Sequence, residues 1–359
     1  MSKRSIACSG ILGLLLLAGC AAESPPAVET ETSAAPAARE TTVRMSTAGV
    51  GTGFYNRIVY WLGESLVRDG AEVTVWPEYR GSLTGRGFRD GVLRLADRRT
   101  DLAVVNSHGL AKMAFRGNGL FDRPLPIRAI AVLPEHDWAV FGVDASLGIR
   151  SFADLREQGV GLRVATGYTD GDNLVGFLVT EVLRRHGIDA SAPDSGWEFI
   201  SGGEGVRRNY ESGETNAWFN EAAFPQVWNP ILAERPTAYL SIEPEVAREF
   251  EEELGVISQT VPAGTYPGQD EPILALDFSG FILGVHEDMD DDLAYLLART
   301  VVEHREEIDE TMEFGGLGIR AGMIMVSRPF AIDPRTAADT PIPLHPGAER
   351  YYREQGYLE

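Results

Sequence analysis

IRAIAVLPEHDWAVFGV, residues 127–143, holds two apolar runs, Ile127–Leu133 and Trp138–Val143, separated only by Pro134-Glu135-His136-Asp137. Both runs have the length and composition of buried strands, and nothing between them has room to be a helix. A strand that passes into the next strand without a helix is what a hinge between two lobes looks like.

The flanks repeat a different pattern. Upstream, Val43–Ala48 is a strand candidate, and Phe54, Ile58, Trp61, Leu62 and Ser65 then recur at helical spacing. Glu72–Glu78 is a second strand, Thr84–Arg98 a second helix, and Asp101–Asn106 a buried third strand ending at a helix start, Ser107-His108-Gly109. This β-α-β-α-β run favours parallel pairing with right-handed crossovers. Downstream, alternation resumes with strands at Gly161–Ala165, Trp197–Ile200, Asn216–Phe219 and Ala238–Ile242. Helices follow them at Asp172–His186, Gly205–Ser212, Gln226–Glu234 and Pro244–Leu254. A second helix-free apolar run, ILALDFSGFILGV at Ile273–Val285, is the expected return crossing, and Asp288–Met312 is the helix after it. The expected organisation is therefore α/β with two lobes: a first lobe in 43–138 and 273–359, and a second in 139–272. Each would be a mixed, mainly parallel sheet flanked by helices. In such sheets ligands lie at the carboxyl ends of strands, here at glycine- or hydroxyl-rich helix starts.

The ends and the composition narrow the class. Lys3 and Arg4, the apolar Ile11–Leu17 and then Leu17-Ala18-Gly19-Cys20 are similar to a bacterial lipoprotein signal, with 1–19 removed and Cys20 acylated. Two or more acyl chains make a stable anchor, so the membrane would be met through lipid alone. Ala21–Thr42 is small, polar and proline-containing and is expected to be a disordered tether over 20–42. The cysteines are Cys8 and Cys20, so the folded part has no thiol to form a disulfide. A formal charge of −21 argues against a nucleic-acid partner, because phosphates would be repelled.

VPAGTYPGQDE at 261–271 and PLHPGAERYYREQG at 343–356 resemble the two signature stretches of the TAXI family, solute-binding subunits of tripartite ATP-independent periplasmic (TRAP) transporters. TAGVGTGFY (47–55), DLAVVNSHGLAKMAFRGNGLF (101–121) and IRAIAVL (127–133) are similar to further family stretches, collinear over about 43–356. The resemblance implies a periplasmic binding protein of type II-like fold. It would close on a small carboxylate-bearing solute, such as glutamate, 2-oxoglutarate or an amino acid, and deliver it to ion-gradient-driven TRAP permease subunits. It implies no catalysis and no cofactor. A ligand-presenting sensor lipoprotein of the same fold is the alternative.

Gly51, Thr52, Gly53 and Tyr55 open a helix whose free N–H groups and threonine hydroxyl suit an anion. Phe54 stands where a dinucleotide fingerprint needs glycine. Ser107 and His108 follow the third strand, and Arg80 and Ser82 follow the second, with Arg80 and Arg86 the candidates for a carboxylate fork. Thr166, Tyr168, Thr169, Asp170 and Asn173 match the family's second-lobe anion cradle but add two acids, Asp170 and Asp172. A carboxylate about 5 Å from a ligand carboxylate would cost roughly 3 kcal/mol at an effective dielectric near 20. Either those acids cap the helix and point away, or the ligand brings a cation, which Glu221 would also welcome. Asp288, Asp290 and Asp292 imitate a calcium loop but lack its glycine and final glutamate, so helix N-terminal acids are expected and no metal site. Pro262, Gly264, Pro267 and Gly268 make the 261–271 loop stiff, with Thr265 and Tyr266 expected to serve structure rather than ligand.

Overall fold

The computed structural model describes residues 41–47, 53–79, 88–133, 137–201, 205–222, 225–307, 313–314, 319–320 and 332–359, all within one compact unit, Glu40–Glu359. The expected signal (1–19), Cys20, the expected tether up to residue 40, Gly51, Thr52, Arg80, Ser82, Arg86 and most of 315–331 lie outside the described residues.

Strands β1 (Thr41–Thr47), β2 (Val73–Tyr79) and β3 (Leu102–Asn106) alternate with helices α1 (Gly53–Arg68), α2 (Phe88–Ala96) and α3 (His108–Arg116), and β4 (Ile127–Leu133) follows. The chain then passes into β5 (Trp138–Asp144), α4 (Phe152–Gln158), β6 (Arg163–Thr166), α5 (Leu174–Arg185), β7 (Glu198–Ser201) and α6 (Gly205–Glu211). Next come β8 (Ala217–Glu221), α7 (Pro225–Glu234), β9 (Thr237–Leu240), α8 (Pro244–Glu249) with a π turn at Phe250–Leu254, β10 (Ser258–Val261) and β11 (Ile273–Asp277). It returns through β12 (Phe281–His286) to α9 (Asp291–Glu303), α10 (Pro334–Ala338) and α11 (Pro346–Glu354).

The first sheet has the order β2-β1-β3-β12-β4, and the second β10-β11-β5-β8-β6-β7 with β9 also on β5. The alternating strands pair in parallel, β1 with β2 and β3, and β6 with β7 and β8. Every antiparallel pairing in these two sheets involves β5, β11 or β12, the strands that carry the chain between sheets. The sheets are therefore mixed, and parallel pairing does not dominate, because the strands next to the crossings run against their neighbours.

Alternation along the first sheet splits its core. Val105, Ala129 and Ile282 face Val92, Leu95, Leu110 and Met113 of α2 and α3. Met45, Val104, Ile130 and Leu283 face Ile58 and Leu62 of α1, Leu297 and Val301 of α9 and Tyr351 and Tyr352 of α11. The stretch before α11 ties the chain end to β4: His345 N donates to the Ala129 carbonyl at 2.8 Å, and Ala129 N to the Pro343 carbonyl at 3.0 Å. The acids before α9 act as caps, Asp290 Oδ1 accepting from Asp292 N and Leu293 N, both at 3.0 Å.

Both crossings occur where the sequence places them, Leu133 to Trp138 and Asp277 to Phe281, and they are bonded to each other. Phe278 N donates to the Asp137 carbonyl at 2.9 Å, and Asp137 N donates to Ser279 Oγ at 3.0 Å. Gln259 Nε2 reaches from β10 to the Asp137 carbonyl at 2.6 Å and to Asp277 Oδ1 at 2.7 Å. Beside this hinge the lobes share an apolar contact. A Cβ on Gly109 of α3 would sit 2.7 Å from Val256 Cγ2, and Met113, Leu254 and Val256 join one buried cluster.

The 261–271 loop is a brace for the same region. Tyr266 is buried; its hydroxyl accepts from Trp138 Nε1 at 2.6 Å and donates to the Ala222 carbonyl at 2.5 Å, tying the start of β5 to the end of β8. Gln269 Nε2 donates to the carbonyls of Val261, Pro262 and Glu271, and Gln269 Oε1 accepts from Tyr266 N at 3.2 Å. Thr265 Oγ1 donates to the Pro262 carbonyl at 2.7 Å. Each of these polar groups has a structural task, as the composition of the loop suggests.

Candidate ligand site at the junction of the sheets

In the first sheet the parallel strands end at Thr47 and Asn106, and Phe281, where β12 enters, lies opposite both Asn106 and Leu133. In the second sheet β6 ends at Thr166 beside Ser201, β8 ends at Glu221 opposite Ala139, and β11 ends at Asp277 opposite Trp138. The carboxyl ends of the parallel strands in both sheets thus meet the crossings at one junction. That is where an open α/β sheet leaves room for a ligand.

At this junction Thr166 and His108 each leave a polar atom without a partner among the described residues. Thr166 is fully buried, and its Oγ1 makes no hydrogen bond. His108, the first residue of α3, leaves its buried Nε2 unpaired. Burial lowers the His108 pKa, so its ring is neutral at neutral pH and can either donate or accept. A buried polar group without a partner costs about 1–3 kcal/mol, and such groups call for an explanation. Ser107 is buried at the N-cap position of α3 with no side-chain capping bond, so capping is not its task.

The second-lobe loop is folded tightly over the first turn of α5. Asn173 Oδ1 accepts from Gly176 N at 3.0 Å and is the cap. Asp170 instead accepts from Asp172 N at 3.2 Å, closing an Asx turn, and Asp172 Oδ1 lies 3.7 Å from Arg89 Nη1 of α2. Neither acid caps the helix, and the charge of Asp172 is met by an arginine of the other lobe. Tyr168 is partly buried and Thr169 and Asp170 are exposed, on the outer side of the same turn. By strand alternation Glu221 shares the α5-facing side of β8 with Ala217 and Phe219, and Thr166 shares it with Val164 on β6. Burial raises the Glu221 carboxyl to about 7, and no cation pairs with it among the described residues. The α5 start is therefore bracketed by an unpaired hydroxyl and a carboxyl that is partly protonated at neutral pH.

Of the first-lobe glycine-threonine seat only the backbone of Gly53 and Tyr55 is described, at the start of α1. Arg89 is not singled out by sequence reasoning; among thirty arginines only its place opposite the acidic loop distinguishes it.

The described residues thus form two mixed sheets flanked by helices and joined by paired crossings, with polar strand ends at the junction. Residues 46–356 match the NMT1-like family, and the chain belongs to that family. Among solved structures, PhnD1 from Prochlorococcus marinus in complex with methylphosphonate is similar at 13% identity and a TM-score of 0.47, with 89% of this chain and all of that one covered. A TctC solute-binding protein from Polaromonas is similar at 11% identity and a TM-score of 0.45, covering 74% of this chain and 84% of that one. The binding protein component of an ABC phosphonate transporter from Pseudomonas aeruginosa is similar at 11% identity and a TM-score of 0.43, covering 77% and 80%. No curated protein matches. Among the described residues no helix is long and apolar enough to cross a membrane.

Proposed function

We propose that the protein is an extracytoplasmic solute-binding protein of the TAXI type. It is anchored through acylated Cys20, captures a small carboxylate-bearing solute between its lobes and hands it unaltered to an ion-gradient-driven TRAP permease. The observation that carries this reading is the pair of buried, unpartnered polar groups, Thr166 Oγ1 and His108 Nε2, one on each side of the junction. In this proposal a carboxylate accepts from Thr166 Oγ1 while the N-terminus of the twelve-residue α5 favours its charge. Gly51, Thr52, Gly53, Tyr55, Arg80 and Ser82 complete the first-lobe side in this proposal. No chemistry on the solute is involved.

Thermal unfolding with L-glutamate, 2-oxoglutarate, neutral sugars and cationic compounds tests the ligand class. A ligand bound by the native state alone stabilises by about 2.7 kcal/mol at a hundred times its Kd. A carboxylate is expected to raise Tm, and a screen in which only neutral or cationic compounds do so contradicts the proposal. Thr166→Val sharpens the test. It removes a desolvated hydroxyl that has no partner, so the ligand-free protein should be as stable as the parent or more so, while the carboxylate-induced shift shrinks. An undiminished shift removes Thr166 from the site.

Glu221 supports a second reading within the same class, an amino acid whose ammonium pairs with it. The direction of pH dependence separates the two. If a ligand carboxylate lies near Glu221, binding needs the protonated acid and strengthens as pH falls through about 7; an ammonium there needs the ionised form, and binding strengthens as pH rises through about 7. Titration calorimetry at pH 6 and pH 8 reads the sign, and Glu221→Gln should flatten either profile.

A further inference from the structure

Two kinds of contact join the lobes beside the hinge: the bonded crossings, and the apolar packing of α3 against Leu254 and Val256, where Asn118 Nδ2 also donates to the Glu253 carbonyl. A third is ionic and partly exposed. Arg89 stands on α2, which packs on the first sheet, and its guanidinium is already positioned there. Nε donates to the Leu120 carbonyl at 2.9 Å, and the group lies 5.8 Å from the centre of the Phe121 ring. That leaves Nη1 directed at Asp172 Oδ1 in the loop between β6 and α5, on the second sheet. Asp172 is held in turn by its backbone N–H to Asp170. Every other ion pair among the described residues stays inside one lobe.

We infer that Arg89 and Asp172 form an interlobe latch that sets how far the two lobes stand open. The separation of 3.7 Å is that of an ion pair without a hydrogen bond, whereas a charge-assisted bond needs about 2.7–2.9 Å. A small further closing movement converts one into the other, so the latch is poised and gains strength as the lobes approach. Its side chains are 31% and 35% exposed, which leaves it screened by salt and easily released. Both properties suit a contact that must break each time the lobes open. The latch also accounts for an acid in a loop otherwise suited to an anion: Asp172 answers the first lobe, not the solute.

Pulsed electron resonance distances between spin labels at Val67→Cys and Val160→Cys test this, in the full chain with Cys8→Ser and Cys20→Ser and without any solute. Both label sites are exposed, at 67% on the first lobe and 41% on the second. Exposed pairs are worth a few tenths to one kcal/mol, so Arg89→Gln and Asp172→Asn should each raise the open fraction about twofold to fivefold. The double variant should be no more open than either single one, and the exchange Arg89→Asp with Asp172→Arg should restore the parent distribution at low salt. Molar salt should open the parent protein to the level of the single variants. Additive single effects, or an exchange variant that stays open, overturn the latch. Because no solute is present, failure here is distinct from failure of the ligand proposal.

Discussion

Gly176→Ala is expected to disable ligand capture. A Cβ at this position would lie 1.9 Å from the Tyr168 carbonyl oxygen and 2.4 Å from its carbon, both backbone atoms, so no side-chain rotation relieves the clash. Either the first turn of α5 or the 167–173 loop must move, and the Asn173 cap onto Gly176 N breaks with it. Overpacking of this kind costs about 1–3 kcal/mol, and loss of the cap adds about 1. The displaced elements are those that carry Thr166 and the α5 N-terminus, so affinity for the carboxylate should fall tenfold or more. Gly171→Ala is the control: nothing lies within 4 Å of its Cβ, and only its φ of +81° resists a side chain, at roughly 1–2 kcal/mol. Thermal unfolding and ligand titration of the two variants separate lost space from lost backbone freedom. Equal effects at the two positions would show that the close passage of the loop over α5 is not what holds the cradle.

Tyr266→Phe should destabilise the fold more than any other single-atom deletion in the 261–271 loop. The hydroxyl serves the part-buried Trp138 Nε1 and the buried Ala222 carbonyl at once, and both lose their bond when it goes. Two such losses cost about 2–4 kcal/mol. For a chain of this size that lowers Tm by roughly 5 °C or more. Tyr239→Phe, which loses one bond to the Pro267 carbonyl, should cost less. Unfolding scans check both, and a Tm within about a degree of the parent for Tyr266→Phe would mean that the loop does not brace the start of β5.

Much of the architecture is legible in the sequence. Both crossings are visible because a buried strand entering another strand needs an apolar run with no helical period, and 127–143 and 273–285 have that pattern. Several shorter elements are not. Helix α4 is a single seven-residue segment, too short to show a period. Strand β10, Ser258-Gln259-Thr260-Val261, is polar and marks the edge of its sheet, so no alternation stands out. Helix α10 spans five residues capped by Asp333. The direction of the crossing strands also escapes the sequence, because local pattern says where a strand is and not which neighbour it will meet. At the site, the strand-end residues are legible from hydroxyls and glycines at helix starts. Pairing of Asp172 with Arg89 is not, since the two are far apart in sequence and nothing local distinguishes either from a solvated charge.

Binding without chemistry between two lobes is the central claim, and mass spectrometry of the solute tests it most directly. The full chain is incubated with the carboxylate that gives the largest Tm shift, freed of excess, and unfolded to release what it holds. One molecule per chain, of unchanged mass, is expected, and it should be lost in Thr166→Val. Failure to retain any carboxylate, or release of a compound of altered mass, would contradict the account.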